Sequence, residues 1–278
     1  AACSGSKDSK SASKKDTTYG YVYNDDPTTL DYTVSSKASV HDITTNGVDG
    51  LLANDKYGNL VPSIAEDWSV SKDGLTYTYK IRKGVKWYDA DGEEHGEVTA
   101  HDFVTGLKHA ADKKSETLPL VQGSVKGLKD YVDGKITDFS QVGVKAVDDY
   151  TLEYTLNQPE TFWNSKTTNG VLMPINGEFL ESKGDNFGQP GDVKSILFNG
   201  PFLLKSITSK SEITFEKNED YWDKDNVHID KIKFSYYDGS DQDSLARGFS
   251  DGSYSQARLF PASSNFASVE EKYKDNIY

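Results

Sequence analysis

Five histidines, His41, His95, His101, His109 and His228, are the residues a metal or proton-transfer centre would draw on first. His101 and His109 are eight positions apart, so a continuous helix would separate them by two turns, roughly 12 Å, too far to share an ion. The five read as solvated or capping groups. Two acidic stretches, Asp89-Ala90-Asp91-Gly92-Glu93 and Asp238-Gly239-Ser240-Asp241-Gln242-Asp243, have the look of calcium loops. Neither sets glycine at the sixth position with glutamate at the twelfth, as the EF-hand geometry requires, and both read as turns. No serine lies in a G-x-S-x-G elbow or beside a recognisable base, and no glycine-rich phosphate loop is present. These residues point to no metal, no cofactor and no catalytic constellation.

The charge balance narrows the partners. With 31 basic and 44 acidic residues the net charge is −13, so a phosphate backbone is repelled and nucleic acid is a poor partner. No run of about 18 apolar residues is present to span a membrane as a helix. A chain of 278 residues allows one large domain or two small ones, and a chain of that size buries roughly 75% of its unfolded surface. Hydrophobic residues make up only 35%, yet 17 Tyr, 12 Phe and 4 Trp supply large core bodies and argue against disorder.

The single cysteine, Cys3, follows two alanines, and Ala1-Ala2-Cys3 has the small-residue form that ends a bacterial lipoprotein signal. Residues 4–18 contain no apolar side chain larger than alanine. The expectation is a diacylglyceryl thioether at Cys3, holding the chain to a membrane through a flexible tether of on the order of 20 Å. The bland alternative is a stray thiol on a disordered tail. A lone cysteine permits no internal disulfide.

The elements that would position a site are clearest between residues 65 and 104. Trp68 and Val70, then Leu75, Tyr77, Tyr79 and Ile81, put apolar groups at every second position, the period of a half-buried strand. Lys72-Asp73-Gly74 supplies the turn between the two runs. Val85 and Trp87 resume the apolar face, and Asp91-Gly92 marks a further turn. At Thr99 the period changes to helical, with Phe103, Val104, Leu107, Ala110 and Ala111 on one face. Thr99 with Asp102 has the form of a capping box. Tyr19 to Tyr23 reads as the first strand, 42–52 as a helix, and 142–156 as a hairpin turning at Asp148-Asp149. A short helix starts within 159–165, 171–175 is a buried run ended by Pro174, and 184–192 is a loop. A second hairpin covers 202–217, and 229–237 forms a last strand. The polar region 112–138 has no assignable pattern.

The stretch A-E-x-W-x-V-S-x-D-G-x-x-Y-x-Y-x-I-R-x-G-V-x-W, followed by D-G and T-A-x-D-F-V, resembles the signature of the family 5 solute-binding proteins. These are the extracytoplasmic receptors of peptide and nickel ABC importers. Further matches run from about residue 19 to about 240: the Leu30-Asp31 step, with Tyr32 where proline is usual; Asp49-Gly50-Leu51; Asn199-Gly200-Pro201-Phe202; and Asn218 with Tyr221-Trp222. Two departures stand out, a longer polar insert at 93–98 and Ser250-Asp251-Gly252-Ser253-Tyr254 where the family has G-x-I-D.

The resemblance implies an α/β (mixed α+β) lobe of the type II periplasmic-binding-protein kind with an inserted smaller α+β subdomain. Residues 19–57 and 197–262 would form the lobe, and 58–196 the insert. Residues 263–278 would begin a crossover to a second lobe beyond the sequence, which would then be the N-terminal part of a longer receptor. It further implies an oligopeptide ligand, ABC permease subunits as partners, no enzymatic step, a monomer, and a place on the outer face of a bacterial membrane. Nickel or haem as the solute, or an adhesin or pheromone sensor, are the alternatives. In the family the loop after the Leu-Asp step pairs with the ligand's backbone. Counted forward without a gap it is 35–39, which makes Ser36, Lys37 and Ala38 the expected contacts. A second segment would bring Leu118, Leu120 and Gln122 to the cleft. The carboxylate that pairs with the ligand's α-amino group would fall after Tyr278.

Overall fold

The computed structural model describes residues 17–239. Cys3, the tether up to residue 16, the departure at 250–254, the part of the expected lobe from 240 to 262 and the expected crossover at 263–278 lie outside the described residues. In chain order the first elements are β1 (Thr18–Tyr23), α1 (Ala38–Thr44), β2 (Leu52–Asn54), β3 (Leu60–Pro62), β4 (Ala65–Val70) and β5 (Thr76–Ile81). Then come β6 (Lys86–Tyr88), β7 (Glu94–Glu97), α2 (Ala100–Asp112), α3 (Leu128–Val132), β8 (Val144–Asp148) and β9 (Thr151–Thr155). The series closes with α4 (Trp163–Lys166), α5 (Gly177–Lys183), β10 (Phe202–Thr208), β11 (Glu212–Lys217) and β12 (Lys231–Tyr236).

The β4–β5 hairpin forms where expected, with β5 alternating as predicted. Val70 on β4, expected on the apolar face, is exposed beyond a register shift at Ala65/Asp67. Gly74 takes φ +74° at the turn, and the Asp73 carboxylate accepts from Ser71 Oγ at 2.5 Å and Leu75 N at 3.0 Å. Tyr77, Tyr79 and Ile81 turn inward, with Thr76, Thr78 and Lys80 on the other face. The antiparallel sheet β4-β5-β9-β8 lays its inner face on α2. That helix starts at the expected cap: the Asp102 carboxylate accepts Thr99 N at 3.0 Å and also the buried Trp87 Nε1 at 2.9 Å. The resulting cluster includes Tyr79, Trp87, Phe103, Leu107, Leu152, Tyr154 and Trp163.

A second sheet, β1-β12-β11-β10, pairs β1 with β12 in parallel and the rest antiparallel. Its cluster includes Tyr19, Phe198, Phe202, Phe215, Ile232 and Phe234. Trp222 and Phe179 pack against both clusters. Motif residues far apart in sequence meet where the two join. The buried Asp49 accepts from Tyr221 Oη at 2.6 Å, and its N–H donates to Asn199 Oδ1 at 2.7 Å.

The helix expected over 42–52 is displaced. Helix α1 begins at Ala38 and ends at Thr44, and Leu52 opens strand β2. The physical reason is competition for carbonyls. Gly47 O accepts from Asn199 N and Gly200 N, and Asn46 O from Phe202 N, so these groups serve the second sheet. The insert at 93–98 is no loose tip either, since β7 pairs with β6. In the unassigned region Gly127, at φ +75°, precedes α3, and residues 118–120 form a 3₁₀ turn. Helix α5 was not anticipated; Asn176 caps it by accepting Phe179 N at 2.9 Å.

Candidate functional site

The segment from Thr29 to Val48 is held in place before it reaches solvent. Leu30 N and Thr29 Oγ1 both donate to Gly188 O, at 2.7 and 3.0 Å. Asp31 is buried; its Oδ1 accepts Thr33 N and Oγ1 at 3.0 and 2.7 Å, and its Oδ2 pairs with His109 Nε2 at 2.7 Å. Ser115 Oγ donates to Thr33 O at 2.6 Å. These bonds tie the Leu-Asp step to α2 and fix where the chain emerges at Ser36. His109, only 9% exposed, is therefore a structural partner of Asp31 and not a solvated histidine.

Beyond this anchor, Ser36, Lys37 and Ala38 are exposed, and they differ in what their backbones offer. Lys37 N–H is taken by Ser35 Oγ at 3.1 Å, and Lys37 O accepts Val40 N and His41 N. The N–H and C=O of Ser36 and the N–H of Ala38 have no hydrogen-bond partner among the described residues. Ala38 and Ser39, read as loop, lie in the first turn of α1, whose opening N–H groups are orphaned by helix geometry.

Beside them lies a cavity of about 230 Å³. Its walls come from Tyr32, from α1 and the turn after it (Ala38, His41, Thr44, Thr45, Val48), and from Thr117, Thr168–Gly170 and Met173. Ser36 and Ala38 sit on its wall; Lys37 does not. Gly170 makes the wall possible, because a Cβ there would overlap Tyr32 O and lie 2.7 Å from His41 Cε1. His41 Nε2 lies 2.6 Å from Ser35 O, and burial lowers the imidazole pKa below its ordinary value. One residue on, burial raises the Asp42 carboxyl to about 7.

The second expected segment lands differently. Leu118 is 4% exposed and belongs to the first core, so its side chain is not offered to a ligand. The 3₁₀ turn rotates it inward and leaves Leu120 exposed and Gln122 half-buried. None of the three lines the cavity; their neighbour Thr117 does. Thr168 to Met173 went unrecognised as a wall. The sequence showed only the buried run ending at Pro174, with nothing to say what it faced.

Two further histidines are held by neighbouring carboxylates. His95 pairs with Asp89 at 2.9 Å and His101 with Asp149 at 3.0 Å. The Asp89 loop is a turn closed by its own carboxylate, which accepts Asp91 N and Glu93 N. Among the described residues no three His, Cys, Asp or Glu side chains gather to hold a metal, and no helix is long and apolar enough to cross a membrane.

Comparison with known proteins adds the following. The model of bacterial extracellular solute-binding proteins, family 5 Middle, matches residues 59–278. The oligopeptide-binding protein AmiA of Streptococcus pneumoniae is 66% identical over 278 residues, which is 100% of this chain and 42% of AmiA. The oligopeptide-binding protein SarA of Streptococcus gordonii is 63% identical over 94% of this chain and 40% of its own length. The chain thus spans about two fifths of the curated relatives it matches. Among solved structures, Listeria monocytogenes OppA bound to peptide superposes with a TM-score of 0.78 at 28% identity, over 94% of this chain and 49% of that one.

Proposed function

The chain belongs to the bacterial extracellular solute-binding proteins of family 5, and from that membership we propose that it is part of an oligopeptide receptor that delivers peptides to an ABC permease. The observation that carries the reading is 66% identity, along the whole chain, to an oligopeptide-binding protein. Peptides differ in their side chains and share a backbone, so a receptor for many of them binds through main-chain groups. The unpaired N–H and C=O of Ser36 and the N–H of Ala38 are suited to that role, beside a cavity that takes a side chain. The mechanism is capture, closure of two lobes about a hinge, and hand-over, with no covalent step.

In this reading residues 19–57 and 197–262 make one lobe and 58–196 the insert. The two hydrophobic clusters support that division, since one draws on Leu51 to Leu197 and the other mainly on the flanks. Cys3 carries the lipid that holds a monomeric receptor at the outer membrane face.

The test uses the protein in its native full length, incubated with a peptide library and analysed by mass spectrometry. Intact extended peptides are expected to be retained; retention of a metal alone, or recovery of cleaved peptides, overturns the reading. N-methylation of a contacting peptide amide is expected to weaken binding about fivefold or more, whereas Ser36→Ala changes it less than twofold. Cys3→Ala is expected to move the protein from the membrane to the soluble fraction.

A further inference from the structure

Resting on the receptor reading, we infer that the cavity beside Ser36 and Ala38 is a selective subsite that accepts one uncharged, apolar side chain of the peptide. By residue type the wall looks polar, yet most of its side-chain oxygens are already engaged by the protein itself, and the unpaired groups are backbone groups of Ser36 and Ala38 at its edge. Tyr32 Oη donates to Pro174 O at 2.6 Å, Thr45 Oγ1 to His41 O at 2.6 Å, and Thr168 Oγ1 to Ser165 O at 2.8 Å. Ser36 Oγ donates to Glu116 at 3.0 Å, His41 Nε2 meets Ser35 O at 2.6 Å, and Asn169 Oδ1 accepts Val171 N at 3.2 Å. A threonine whose hydroxyl is turned to its own backbone leaves its methyl group as the surface a ligand meets. Together with Val48 and Met173, these groups make the lining mainly hydrocarbon.

Among the described residues no Asp, Glu, Lys or Arg lines the cavity, and the lowered pKa of His41 keeps its imidazole neutral near pH 7. A peptide ammonium or carboxylate entering it would lose water and find no counter-charge among these wall residues; the Glu116 carboxylate bonded to Ser36 Oγ stands outside the lining. Size sets the other limit. At about 230 Å³ the space is below the roughly 300–1,000 Å³ of sites for drug-sized ligands, so it suits one side chain. A neighbouring cavity that shares Thr45, Val48, Thr168 and Met173 with it has about 10 Å³, room for at most one water. Met173 supplies a pliable thioether wall that can adapt to leucine, methionine or phenylalanine.

The experiment titrates the full-length receptor with alanine-based octapeptides carrying a single Leu, Phe, Lys or Glu at each position in turn. At one position Leu and Phe are expected to bind at least tenfold more tightly than Lys and Glu. Ala38→Glu and Thr168→Glu, each placing a carboxylate at the wall, are expected to bring the Leu-to-Lys ratio to one or below. Circular dichroism checks that both variants fold, and the wild-type series stands without them. If the octapeptides bind and every position tolerates Leu and Lys within twofold, the subsite is refuted while the receptor reading stands. If no peptide binds the wild type, the receptor reading falls and takes the subsite with it.

Discussion

In the sheet β4-β5-β9-β8 both outer pairs are hairpins, turning at Gly74 and at Asp148-Asp149. In β1-β12-β11-β10 one outer pair is parallel, and the hydrogen bond from Thr17 to Asp230 at its start spans 213 residues. A hairpin needs little loop closure, while a parallel pair must bring distant segments together. The two hairpins of the first sheet can therefore form early and locally before β5 meets β9, and the second sheet must wait for its still more remote β1–β12 pair. Both end in equally buried aromatic cores, so the difference lies in assembly and not in packing.

The largest expected effects test whether the two cores open separately. Trp163→Ala empties the first core around Tyr77 and Tyr154 and removes the bond that Tyr79 Oη accepts from Trp163 Nε1 at 3.1 Å, leaving Tyr79 only its bond to Asn164 Oδ1. Phe234→Ala removes a ring stacked edge-on against Tyr21 and Phe215 in the second core. Each is expected to cost about 3–5 kcal/mol in denaturant unfolding. By hydrogen exchange, Trp163→Ala should unprotect β5 and β9 most, and Phe234→Ala β11 and β12. Equal loss in both sheets would mean that the cores open as one unit.

A carboxyl withdrawn from water in each region, almost fully at Asp102 and partly at Asp42, gives the next effect. Burial raises Asp102, on α2, to about 6 and Asp42, on α1, to about 7. The folded state thus holds each proton more tightly than the unfolded chain. This contribution is fully present below about pH 4 and is lost as pH rises through the folded value. For Asp102 a shift of about two units corresponds to ~3 kcal/mol; half-buried Asp42 is screened by solvent and contributes less. Against wild type, Asp102→Asn is expected to remove a stability loss between pH 4 and 6, and Asp42→Asn one between pH 4 and 7, read from melting temperatures. Parallel profiles for wild type and both variants would count against these environments.

What the sequence made legible follows the same division. The β4–β5 hairpin, the Thr99–Asp102 cap and the β8–β9 turn are written in local spacing, and the structure has them where expected. The end of α1 is set by the Asn46 and Gly47 carbonyls, which accept from Phe202 N and from Asn199 N and Gly200 N, far along the chain, and no window over 42–52 contains that information. The candidate site suffers most from this. Ser36 and Ala38 came from resemblance and do sit at the cavity, whereas Thr168 and Met173 reach it only through tertiary folding. Leu118 is misread because a 3₁₀ turn, with its tighter pitch, points it inward.

A smaller effect is expected at the contact that joins the two regions. The Arg82 guanidinium stacks 3.9 Å from the Trp222 ring, and Nε donates to Ser63 O at 3.2 Å. Arg82 follows β5, and Trp222 touches both cores. Lysine would keep the charge but lose the planar stack, so Arg82→Lys is expected to cost about 1 kcal/mol. Coupling of that order, measured by a double-mutant cycle with Trp222→Phe, would show that the stack carries part of the joint; additivity would assign the joint to apolar packing.

The smallest effects concern the outward faces of the two sheets. Lys80 pairs with Glu66 at 3.1 Å on the first sheet, and Lys233 with Glu212 at 3.4 Å on the second. All four side chains are at least a third exposed, where solvent screening and side-chain entropy leave such pairs less than about 1 kcal/mol. Lys80→Ala and Lys233→Ala are each expected to shift stability by under about 0.5 kcal/mol and to lose even that in high salt. Equal, negligible effects fit two faces that are both open to water. A larger cost on one sheet alone, persisting in salt, would mean that this face is covered in solution, and the two sheets would then differ in surroundings as well as in assembly.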